Sequence, residues 1–162
     1  MPTSPRSAAH LALLSLILAS AACARDAAGV RTVEAKIDGI TCDKCVPPLT
    51  KSLQRRFAKA NVVVDDASDT ATLHLARGEA FSAADFTRAV TDVRMKVVTV
   101  RLEACGTAET SGTQRILDAG GSRFVLRGPQ TVPLGQPVCV DGSLDTTQQP
   151  AVLDISAVTP QA

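Results

Sequence analysis

Cys42 and Cys45 are the residues of this 162-residue chain whose type and spacing point most directly to chemistry. Two thiolates at Cys-x-x-Cys spacing, where a loop runs into a helix, can converge on one ion. The helix N-terminus and nearby cations help to keep the sulfur ionised. Two soft donors suit Cu(I) or Hg(II) in near-linear geometry and leave Zn(II) short of its usual four. Asp43, between the two, either adds a carboxylate ligand or begins the helix. The same dithiol could instead cycle with a disulfide, as in a thiol-disulfide oxidoreductase. Thioredoxin-like sites usually place a Trp before the first Cys and add a proline loop, and this chain has no Trp. A third reading is a non-metal interaction module in which the pair is oxidised and structural.

The elements that must position the pair follow from periodicity. Arg31 to Ile37 alternates, with Val33, Ala35 and Ile37 on one face, and reads as a half-buried strand. Gly39-Ile40-Thr41-Cys42-Asp43-Lys44-Cys45 is the loop after it. Val46, Leu49, Leu53 and Phe57 recur at helical spacing, with Lys51, Gln54, Arg55 and Lys59 opposite them. Pro47 and Pro48 fall in the first helical turn, where amides have no intrahelical partner to lose. Asn61–Asp65 and Thr70–Ala76 read as two antiparallel strands joined by the turn Asp65-Asp66-Ala67-Ser68-Asp69. Ser82 with Asp85 three residues on resembles a capping box, opening a helix whose stripe is Phe86, Ala89, Val90 and Val93. Lys96 to Leu102 reads as the last strand of this set. The order, with both helices on one face of an antiparallel sheet, predicts an α+β fold, a ferredoxin-like βαββαβ sandwich. That fold alone does not imply function.

Residues 31–104 resemble the heavy-metal-associated domain, the family of periplasmic mercury-binding proteins, copper chaperones and the N-terminal modules of metal-transporting ATPases. The family pattern Gly-Met-Thr-Cys-x-x-Cys after the first strand is met by Gly39, Thr41, Cys42 and Cys45, with Ile40 in place of Met. The resemblance implies that one Cu(I) or Hg(II) ion per domain is held by Cys42 and Cys45. It also implies that the ion passes by stepwise ligand exchange to a metal-transporting or metal-accepting protein with its own thiolates. Zinc and cadmium members tend to carry an acidic residue before the first Cys, where Thr41 stands here, which favours the softer ions. Where the family often has Gly followed by Tyr, Phe or a basic residue near the metal, this chain has Arg94, Met95 and Lys96. Met95 would cover the site or lend a thioether, or simply pack in the core. Lys96 would offset the charge of a bis-thiolate complex, or be an ordinary exposed lysine. His74, on the polar face of its strand and far in sequence from the pair, reads as solvated.

The chain opens with a single basic residue, Arg6, then Leu11 to Ala19, an apolar run too short to span a bilayer and followed by small residues. This is the layout of a secretory signal over residues 1–22. The approach to Cys23 resembles a bacterial lipobox, which would make Cys23 the lipidated first residue of the mature chain; Ser20 departs from that pattern, and an ordinary signal cut near Ala22 or Ala24 is the alternative. The expected location is the periplasm, or a lipid anchor on the cell envelope of a bacterium. Without residues 1–22 the chain carries 16 basic and 16 acidic side chains. That balance, with four Phe and no Tyr or Trp, argues against nucleic acid or anionic lipid as a partner.

After a linker at 23–30 and the metal-binding domain at 31–104, residues 105–162 change texture and read as a small β-rich module. Its short runs are Gln114–Leu117, Arg123–Arg127, Pro137–Asp145 and Val152–Val158, punctuated by Gly120-Gly121, Gly128-Pro129 and Asp141-Gly142. They resemble the later strands of small OB-like barrels; a β-extension packed on the first domain is the alternative. In an oxidising compartment the remaining Cys105 and Cys139 most simply pair in a disulfide. A buried free Cys139 or a second thiol site are the other readings. No Ser, His and Asp arrangement, phosphate-cradling glycine loop or paired-carboxylate site is evident, so the chain is not expected to be an enzyme.

Overall fold

A computed structural model describes residues 28–161. The expected signal at 1–22, Cys23 and most of the linker lie outside the described residues. The elements run β1 (Gly29–Asp38), a 3₁₀ turn (Asp43–Cys45), α1 (Val46–Arg56), β2 (Asn61–Asp65), β3 (Thr70–His74), α2 (Ala83–Thr91) and β4 (Lys96–Ser111). They continue with β5 (Gln114–Ala119), β6 (Ser122–Arg127), β7 (Pro137–Asp145) and β8 (Val152–Pro160).

All eight strands belong to one sheet in the order β2-β3-β1-β4-β5-β6-β8-β7. β7 also pairs with β4, so the last five strands close on themselves as a barrel. Every pairing is antiparallel except β6 with β8. Closure leaves the barrel strands without a free edge, which removes the unpaired backbone groups an open sheet would expose.

Alternation along β1 buries Val33, Ala35 and Ile37 while Glu34 and Lys36 stay exposed. Leu49, Leu53 and Phe57 from α1 and Phe86, Ala89 and Val90 from α2 are buried in the same core. The helices are also tied by polar groups. The buried Ser52 hydroxyl donates to the Ala89 carbonyl at 2.8 Å, and the Arg56 guanidinium reaches Asp85 at 3.3 Å and Asp92 at 3.0 Å. Ser82 is the N-cap of α2, its hydroxyl oxygen accepting the Asp85 amide at 3.2 Å.

β4 decides the architecture. It is 16 residues long and pairs with β1 through Cys105, with β5 from Thr107 to Ser111, and with β7 from Arg101 to Thr107. Within the barrel Ala104 and Ala108 are fully buried beside Leu117, Phe124, Val138, Val140 and Leu153. Gly106 sits between the two alanines where β5 approaches most closely: a Cβ there would overlap the Asp118 carbonyl oxygen. Small residues on β4 therefore let the sheet curl tightly enough to close.

This corrects the expected fold class. The chain is not a ferredoxin-like α+β sandwich with a small module after it. The described residues are 50% strand and 17% helix, with two α-helices and a closed five-stranded barrel. The physical reason lies in β4, which does not stop at Leu102. Its continuation through Ala104, Gly106 and Ala108 carries small side chains that give no alternating apolar signal. Its partners are Gln114 to Asp118, which follow across a short turn, and Pro137 to Ser143, 30 to 42 positions downstream.

Candidate metal centre

β1 ends at Asp38, and Gly39 turns the chain with φ +109°, a left-handed backbone that a side chain rarely adopts. A Cβ on Gly39 would also lie 3.1 Å from Cγ of Met95. Met95, only 8% exposed, thus packs beneath the start of the site loop. Ile40, 3% exposed, anchors the next residue in the core. From there the chain is at the surface: Thr41 and Cys42 are exposed, and Cys45 is half-buried at the foot of α1.

Cys42 has extended backbone, and Asp43 to Cys45 form one 3₁₀ turn that runs directly into α1. The Cys45 amide donates to the Cys42 carbonyl at 2.9 Å. The Asp43 carboxylate accepts its neighbour Lys44's amide at 2.8 Å, so it serves the start of the turn. Pro47 and Pro48 occupy the first turn of α1. They fix its direction but remove two amides that could otherwise face an anion.

Cys42 and Cys45 are both free thiols, and their sulfurs lie 2.8 Å apart. The Thr41 hydroxyl stands 3.8 Å from Cys45 Sγ. The two sulfurs share a proton unequally. Cys45's pKa is lowered, chiefly by the hydrogen bond from Cys42 and then by donors from Thr41. Cys42's is raised, chiefly because its thiol is held by Cys45. The first thiolate therefore forms on the helix-anchored sulfur, and the proton stays on the loop sulfur.

Two metal–sulfur bonds of ~2.3 Å set end to end are longer than the present 2.8 Å gap. A near-linear complex thus requires one sulfur to swing outward. Cys42, exposed in an extended loop, has the freedom to do so, while Cys45 is fixed by the helix.

The other sequence-predicted residues fall in different places. Lys96 is exposed at the start of β4, opposite Asp38, and lines a shallow groove with Lys36, Asp69 and Val98. His74 is exposed on β3, opposite Thr32 and Asn61, away from the loop that carries the cysteines. Cys105 and Cys139 are disulfide-bonded across β4 and β7. The sequence reading did not bring Glu103 or Gln161 to that pair, yet both stand beside it. Glu103 could have been found by period two from Cys105, given a strand running through both. Gln161 carried no signal.

No helix among the described residues is long and apolar enough to cross a membrane. No protein-family model matches this chain, and neither does any curated protein or solved structure.

Proposed function

We propose that this chain carries one soft metal ion, Cu(I) or Hg(II), between Cys42 and Cys45 and relays it to a second protein that offers its own thiolates. The observation that carries the reading is the pair of free sulfurs 2.8 Å apart, one exposed on a loop and one anchored at a helix start. An ion entering the pair displaces the shared proton and gains two soft donors. Two-coordination leaves it open to an incoming thiolate, so transfer runs through a three-coordinate intermediate and needs no change in a substrate. Met95 beneath the loop is a covering residue in this reading, and the chain is a carrier, not an enzyme. The place of action is the cell envelope, in keeping with the signal-like N-terminal sequence.

Disulfide exchange is the rival use of the same two sulfurs. The test is anaerobic titration of the reduced chain with Cu(I) and with Hg(II) against a competing chelator, beside a glutathione-disulfide turnover assay. Stoichiometric binding with negligible turnover is expected. Turnover dependent on Cys42 and Cys45, without stoichiometric metal uptake, would replace this reading with a redox one.

A further inference from the structure

Among the described residues, one group of three His, Cys, Asp or Glu side chains brings its ligand atoms together: Glu103, Cys105 and Cys139, all within 4.8 Å of one another. Glu103 and Cys105 share one face of β4 by the period of a strand. Cys139 stands directly across from Cys105 on β7, with Cα atoms 4.0 Å apart. On β7 the neighbours Val138 and Val140 fill the barrel, and the half-buried Cys139 lies on the other face. Three further contacts order this patch. The Gln161 side-chain amide lies 2.9 Å from Cys139 Sγ, and its backbone amide donates to the Pro137 carbonyl at 3.0 Å. Arg31 holds a Glu103 carboxylate oxygen at 3.6 Å.

We propose that the Cys105–Cys139 bridge is a redox-gated metal site, closed as a disulfide and open, once reduced, to a borderline divalent cation such as Zn(II). The donors are the two sulfurs, a Glu103 carboxylate oxygen and, after an amide flip, the Gln161 side-chain oxygen. Two sulfurs and two oxygens make a four-donor set, which suits tetrahedral Zn(II) and differs from the two-coordinate pair at Cys42 and Cys45. Zinc–sulfur bonds of about 2.3 Å at a tetrahedral angle place two sulfurs roughly 3.8 Å apart. Facing cysteines in one ladder reach that separation by rotamer changes alone, with the β4–β7 pairing kept.

The reductant is a protein dithiol. One of its thiolates attacks a bridge sulfur, forming a mixed disulfide and releasing the other bridge sulfur as thiolate. Its second thiol then attacks the mixed disulfide and leaves with it as the new disulfide. Two electrons pass to Cys105 and Cys139. The cation then takes both sulfurs as thiolates, and any protons they hold go to solvent.

The experiment uses the full chain carrying Cys42→Ser and Cys45→Ser, so that its outcome is independent of the first site. The chain is reduced with a phosphine and titrated with Co(II) as a spectroscopic substitute for Zn(II). The expected result is thiolate-to-Co(II) charge transfer saturating at one ion per reduced chain, with none in the oxidised chain. Glu103→Ala should weaken binding by about tenfold or more. A reduced chain that keeps its far-ultraviolet circular dichroism yet takes up no ion would overturn the proposal, as would affinity unchanged by Glu103→Ala. If reduction itself loosens the barrel, Zn(II) should restore the sheet signal and slow reoxidation by glutathione disulfide by about tenfold. Zn(II) leaving both unchanged would equally overturn it.

Discussion

Cys45 is the sulfur that ionises first, and its partner supplies the main reason. Because the Cys42 thiol is the principal donor lowering Cys45's pKa, Cys42→Ala should move Cys45's thiolate formation to higher pH, toward the ordinary thiol range. Cys45→Ala should move Cys42's the other way, since Cys45 is what raises it. Ultraviolet thiolate absorbance followed through a pH titration of each variant checks both directions; no movement in either would mean that the sulfurs do not share a proton. The spacing of the pair was legible in the sequence because it is local. The proton's place was not, since it depends on how one 3₁₀ turn sets the two sulfurs and Thr41 against each other. Met95 beneath Gly39 was legible only as a stretch of chain, because its contact joins residues more than fifty positions apart.

Among the elements, β4 has the most to lose from a single methyl group. Gly106→Ala would push a side chain into the Asp118 carbonyl, and destabilisation of about 1–3 kcal/mol is expected as a lower denaturant midpoint. Ser82→Ala should cost about 1 kcal/mol by removing the cap of α2, without altering the barrel. The turn after β7 carries an acid-sensitive contribution. Asp145's carboxyl is held below its usual range, first by the Thr147 hydroxyl, then by the Thr147 amide and the Gln148 side chain. A carboxyl lowered on folding contributes fully above its unfolded pKa, and that contribution disappears as pH falls through the folded value. Asp145→Asn should therefore flatten the acid limb of a stability-against-pH curve and leave its slope near neutrality unchanged. β1, α1, β2 and α2 were legible because each has a strong apolar period and a cap or turn at its ends. The second half of β4 was not, because Ala104, Gly106 and Ala108 show no such period and depend on β5 and β7 for their partners.

At the scale of the whole molecule, the helix-covered strands and the barrel share β4 and one continuous buried core from Val30 to Ile155. Heating should therefore give one cooperative transition at the same temperature by far-ultraviolet dichroism and by calorimetry; two separate transitions would mean that the halves fold independently. The bridge between Cys105 and Cys139 spans 34 residues and, by chain entropy, contributes roughly 3–4 kcal/mol. Barrel closure was hidden from sequence because it rests on two long-range pairings, β4 with β7 and the parallel β6 with β8, and neither leaves a local mark.

The proposed carrier role stands on Cys42 and Cys45 acting together as ligands of one ion. X-ray absorption at the metal edge of the reduced chain, loaded with one equivalent of Cu(I) and compared with a Cys42→Ser, Cys45→Ser variant, tests this most directly. Sulfur alone should coordinate the copper in the parent chain, with uptake lost in the variant. A reduced parent chain that takes up no Cu(I), or holds it through nitrogen and oxygen donors that persist in the variant, would contradict it.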